Sequence, residues 1–144
     1  MTKAAIQKAI GIGGKVAVTT VAVTNADLQG AKIAQTAGGT IDLSKASAKD
    51  VAALEAIIVT GTDRADITIK NNNFNGTVVL GDGDGKVTLV TSKAVTVETG
   101  KGNDSVTTGS AGDSVVVALG NDSVNTGSGN DKVVIKANFE GNES

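Results

Sequence analysis

The sequence predicts a mainly all-β chain: a parallel β-solenoid, or β-roll, with one or two short capping helices in its N-terminal third. Three observations carry this. A nine-residue period runs through the last third; Phe74 and Phe139 are the only aromatic residues; and there are 19 glycines but no proline. Glycine, asparagine and aspartate tolerate the backbone of tight turns, so many short turns are implied. A core of Ala, Val, Ile and Leu without bulky rings must be thin and layered.

Written in nines, the last third reads TGKGNDSVT from Thr99, TGSAGDSVV from Thr108, VALGNDSVN from Val117 and TGSGNDKVV from Thr126. Asp104, Asp113, Asp122 and Asp131 recur in register, and Val106, Val115, Val124 and Val133 each follow two places later. A unit of one polar turn and one short strand buries its valine only by stacking on neighbours. Two units make one coil. Side chains alternate along a strand, so the valines point inward while Ser105, Thr107, Ser123 and Asn125 point out.

Upstream, turn glycines at Gly39, Gly61, Gly81 and Gly100 mark a looser period of roughly 20 residues. Ala65 to Lys70 and Lys86 to Val90 alternate apolar and polar residues as half-buried strands do, and the β-branched run Val16 to Val23 also predicts a strand. The solenoid is expected to begin before residue 60. Thr2 caps a short helix through Ile10 that Gly11 ends, read as a cover for the open strand edges, with a docking element as the alternative. Ser47-Ala48-Lys49-Asp50 forms a capping box that opens a helix over Val51 to Ala56. Asn25 to Gln35 is a weaker helix, with Gly30 in its middle. The chain is expected to be one domain, 1–144: an N-terminal cap with irregular coils (1–58), further irregular coils (59–98), the repeats (99–134) and a tail (135–144).

The four nonapeptides resemble the RTX, or haemolysin-type, calcium-binding repeat, whose pattern is GGxGxDxUx with U a large apolar residue. The resemblance covers about residues 99–134. It implies a parallel β-roll whose glycine-rich turns stack along two edges and hold calcium between them, with aspartate carboxylates and turn carbonyls as ligands. Calcium takes six to eight oxygens at about 2.3–2.6 Å, which stacked turns can supply. By this resemblance the metal-site residues are Asp104, Asp113, Asp122 and Asp131 with Gly100, Gly102, Gly120, Gly127 and Gly129. The pattern is incomplete: Thr99, Thr108, Val117 and Thr126 replace the first glycine, Ala118 the second in unit three, and Ala111 the third in unit two. Units one and three share one edge and units two and four the other, so one site per edge is the most expected. The other reading of these turns is that they satisfy only their own backbone and bind no metal. Gly81-Asp82-Gly83-Asp84-Gly85 offers two carboxylates in a flexible loop but lacks the spacing of an EF-hand; it reads as a further solenoid turn, with calcium binding the minor alternative.

With no histidine and no cysteine, the commonest general base and the thiolate metal ligands are missing, and no motif isolates a carboxylate pair or a Ser-Lys arrangement. An enzyme is not expected. Net charge is −2, the basic residues are scattered and Arg64 is the only arginine, so nucleic acid is not an expected partner. No stretch approaches the roughly 20 apolar residues that span a bilayer. No N-terminal signal peptide is recognised, since Gln7 and Lys8 interrupt Ala4-Ala5-Ile6. The expected role is a structural protein: a subunit or decoration of a larger assembly, such as a virion capsid or tail or a surface layer, meeting other protein subunits or forming a homo-oligomer, and located on a virion or cell surface. The alternative is a small secreted RTX-type protein that folds on meeting extracellular calcium. A carbohydrate-binding solenoid would display an exposed aromatic row, which is absent; outward Val116 and Val134 read equally as an apolar strip for protein contact or trimerisation and as two isolated surface valines.

Overall fold

The computed structural model describes residues 16–20, 31–35, 39–44 and 46–136. Short runs that alternate aliphatic and hydroxyl or charged side chains become strands, and glycine, asparagine and aspartate clusters turn the chain between them. In chain order these are β1 (Val16–Thr20), β2 (Ala31–Gln35), β3 (Gly39–Asp42), helix α1 (Ala48–Ala52), β4 (Leu54–Val59), β5 (Ala65–Lys70), β6 (Thr77–Val79), β7 (Gly85–Val90), β8 (Thr96–Glu98), β9 (Ser105–Thr107), β10 (Ser114–Val117), β11 (Ser123–Asn125) and β12 (Lys132–Ile135).

From β3 onward successive strands alternate between two sheets, ordered β1-β2-β4-β6-β8-β10-β12 and β3-β5-β7-β9-β11. Every pairing is parallel except β1 with β2. This is a β-solenoid. In the first sheet one coil takes 21 residues from Ile57 to Val78, 19 from Val78 to Val97, and 18 for each of the steps Val97 to Val115 and Val115 to Val133. In the second the steps are 26 from Ile41 to Ile67, 20 to Val87, 19 to Val106 and 18 to Val124. Coils built of two nonapeptides are therefore the shortest and most regular, as the repeat predicts.

The core is two facing columns, Ile57-Val78-Val97-Val115 and Ile41-Ile67-Val87-Val106, each member at most 1% exposed. Every side chain in a column is covered by the strands before and after it. Phe74 is buried in the turn between β5 and β6, where the coils are longer. The inward ladder of repeat valines holds at Val106 and Val115, is half-covered at Val124 and opens at Val133, which is 48% exposed because no described coil follows β12. Ser105 and Thr107 are half-buried and Ser123 and Asn125 exposed, the outward side of the same strands.

Three local expectations are corrected. The Ser47 side chain does cap a helix, accepting the Asp50 N–H at 3.1 Å, but α1 ends at Ala52. Leu54 to Ala56, expected as the end of that helix, instead begin strand β4, because Ile57, Ile58 and Val59 are β-branched and the segment fits between β2 and β6. Ala31–Gln35, within the weaker helix over Asn25 to Gln35, is strand β2; pairing on both sides overrides the helical pattern. Gly39 lies in β3, not in a turn. The helix read over Thr2 to Ile10, residues 25–30 and the tail from 137 lie outside the described residues.

Candidate metal centre in the stacked turns

The turns between the sheets form two edges. One stacks 60–64, 80–84, 99–104 and 118–122; the other stacks 71–76, 91–95, 108–113 and 126–131. The first brings together Gly100, Gly102, Gly120, Asp104 and Asp122, and the second Gly127, Gly129, Asp113 and Asp131. Stacking is close enough to exclude side chains. A Cβ on Gly100 would strike the Gly81 carbonyl, and one on Gly120, Gly127 or Gly129 would strike the carbonyl of Gly102, Gly109 or Ala111. Gly120 and Gly129 also hold φ of 142° and 129°, which side-chain-bearing residues rarely adopt.

Three of the four repeat aspartates bond back one coil. Asp122 Oδ1 accepts the Asp104 N–H at 2.8 Å, Asp131 Oδ1 the Asp113 N–H at 2.8 Å, and Asp113 Oδ1 the Val95 N–H at 3.0 Å. On the first edge a second set reaches forward, Asp84 Oδ1 accepting the Asn103 N–H at 2.8 Å and Asn103 Oδ1 the Asn121 N–H at 2.9 Å. Neighbouring turns are thus clasped in both directions, and turn amides that no strand serves are satisfied. Where the repeat pattern has its first glycine, buried threonines do similar work. Thr99 Oγ1 accepts the Ala118 N–H at 3.0 Å, and Thr108 Oγ1 donates to the Thr126 carbonyl at 3.0 Å.

These bonds use one oxygen each of Asp113, Asp122 and Asp131. Asp113 Oδ2, Asp122 Oδ2 and both oxygens of Asp104 are buried with no hydrogen-bond donor. Asp104 leans toward Gly85, one coil back, whose N–H acts on it electrostatically without meeting hydrogen-bond geometry. Burial, with Asp122 and Asp84 adding negative charge nearby, pushes the Asp104 carboxyl up to about 6 despite that amide. A buried carboxylate that lacks donors and faces like charge is costly unless it is protonated or meets a cation.

That is the test a calcium ion must pass, and the first edge passes it better. It holds three of the four donorless repeat-aspartate oxygens, on Asp104 and Asp122, against one, on Asp113, along the second. Among the described residues no three acidic side chains gather as a ready metal cluster. An ion here would take its remaining oxygens from turn carbonyls, as calcium sites commonly do. The sequence shows Asp84 only as one of two carboxylates in the Gly81 to Gly85 turn; it precedes Asn103 by 19 residues, one coil. It adds charge to the first edge, while Asp82 is occupied by Lys101, with Nζ to Oδ2 at 3.5 Å. As read from the sequence, Gly81 to Asp84 lies in a solenoid turn, while Gly85 opens β7.

Comparison with protein-family models, with curated proteins and with solved structures returned no match. The likeness to the haemolysin-type repeat therefore stands on the repeat residues themselves.

Proposed function

We propose that this chain is a non-enzymatic structural solenoid, a subunit or decoration of a larger assembly such as a virion or a surface layer, and that calcium bound in its stacked turns stiffens the last coils. The observation that supports this most directly is the set of buried, donorless oxygens on Asp104 and Asp122 between turns that are otherwise clasped by hydrogen bonds. Asp104 and Asp122 would hold the ion, which would offset their mutual repulsion and tie two coils together. The absence of histidine and cysteine from the sequence agrees with a role that does no chemistry.

A calcium titration followed by circular dichroism during thermal unfolding tests the metal. The expected result is a higher midpoint in millimolar calcium than in chelator, lost in an Asp104→Asn/Asp122→Asn double variant. An identical midpoint in both buffers would sink the calcium part. The second reading, a secreted protein that folds on extracellular calcium, draws on the same charge at Asp104. It predicts an unfolded chain in chelator that gains β structure only with the ion.

A further inference from the structure

Among the described residues, nothing covers the last two strands of the solenoid. β12 is the final strand of the seven-stranded sheet and β11 of the five-stranded one, so each turns one row of backbone donors and acceptors away from the described chain. Between them the interior is open: Val133 and Ile135 are 48% and 71% exposed, whereas their counterparts one coil back, Val115 and Val117, are buried. Of the devices that usually protect an edge, β11 and β12 are short and β12 carries Lys132, but others are missing. There is no proline in the chain, and the pairings of β10 with β12 and β9 with β11 run without a bulge.

We propose that this end pairs with the same end of a second copy of the chain, β12 against β12 and β11 against β11, about one twofold axis passing by Val133 and Val124. A partner for this face must offer two strand edges separated by the roughly 10 Å of packed sheets, each with an inward apolar residue. The same end of another copy meets that description. In an antiparallel pair, residues directly opposite point to the same face. Centring β12 on Val133 sets Val133 opposite Val133 of the second copy and Lys132 opposite its Val134, so inward side chains meet inward ones. Centring β11 on Val124 sets Ser123 opposite Asn125 of the second copy. Val124 and Val133 hold the same place in consecutive repeats, one on each sheet, so a single axis serves both pairings.

Charge permits this self-contact. The end carries Asp122, Asp131, Lys132 and Lys136, equal numbers of each sign. In the stated register Asp122 faces Thr126 of the second copy, Asp131 its Ile135 and Lys136 its Asn130, so no like charges are opposed. The face is only one 18-residue coil in cross-section, small beside the roughly 800 Å² per partner of a standard interface, so the dimer is reversible. This inference names a partner for the structural reading above and holds with or without calcium.

The sequence has no cysteine, so single substitutions report the register cleanly. The full chain carrying Val133→Cys should form a disulfide-linked dimer under mild oxidation, while one carrying Ser105→Cys, on a central strand, should not. Sedimentation velocity of the unaltered chain should show a concentration-dependent dimer, weakened at least roughly tenfold by Val133→Lys, which sets like charges on the axis. Circular dichroism of each variant checks that the fold is kept. Cross-linking at 133 no faster than at 105, or a monomer up to millimolar concentration, overturns the proposal. So does a monomer that dimerises only once residues 137–144 are deleted, since the tail would then cover the end. Oligomers that persist without cross-linking at 133 would overturn end pairing while leaving the structural reading standing.

Discussion

Asp122 and Asp104 are two residues of the same type at the same place in alternate repeats, and the side chain of one holds the backbone of the other, Oδ1 to N at 2.8 Å. The bond is repeated on the opposite edge by Asp131 and Asp113. Replacing Asp122 with alanine leaves the Asp104 N–H unpaired in a part-buried turn. The expected loss in denaturant unfolding under chelator is about 1–3 kcal/mol. Ser110→Ala, at an exposed turn position, should stay within about 0.5 kcal/mol. Equal effects would mean that the clasp adds nothing.

Asp104 gives the calcium-free chain a pH signature. Its folded pKa of about 6 lies above the ordinary 3.8, so the folded state holds that proton more tightly than the unfolded state. The resulting contribution makes the chain more stable as pH falls from about 6 toward 4, and it is flat outside that window. Other carboxylates titrate as well, so the informative quantity is wild type minus Asp104→Asn, measured by thermal melts in chelator. A difference that does not change across the window would contradict the buried, donorless setting of this carboxyl.

The valine column makes a positional prediction. Val115 and Val133 occupy the same place in their repeats, one fully buried and the other half open. Val115→Ala should cost about 2 kcal/mol through lost burial and an unfilled space. Val133→Ala should cost at most about 0.5 kcal/mol in dilute monomer. Denaturant unfolding at low protein concentration compares them directly.

Gly120→Ala should be among the more damaging single-methyl additions. The residue holds a φ of 142° and has the Gly102 carbonyl against the place a Cβ would take. A loss of at least about 1 kcal/mol is expected from the backbone alone. An alanine variant with an unchanged unfolding midpoint would mean that the turn relaxes without cost.

The repeat residues made the last third legible. A strict nine-residue recurrence of Asp and Val fixes which turns share an edge and which valines share a column, because two units must close one coil before any valine is covered. The upstream coils were legible as alternation but not in their boundaries, since coils of differing length have no period to read. Leu54 to Ala56 and Ala31 to Gln35 fit helical patterns locally, and only pairing on both sides decides for a strand. At the candidate site, the four repeat aspartates were visible from spacing. The reciprocal role of Asn103, and the extra charge that Asp84 brings to one edge, depend on which residues lie exactly one coil apart where the coil is 19 residues rather than 18.

The unequal coil lengths carry a consequence for how the chain finds its native alignment. Steps of 26, 20, 19 and 18 residues along one sheet give most coils a perimeter of their own, so a strand that docks one coil too early leaves slack or strain in the turn that follows. Only the terminal nonapeptide coils, equal in length and nearly equal in sequence, are interchangeable. Misthreading is therefore confined to that end, and the irregular early coils serve as the ruler from which the uniform ones are counted.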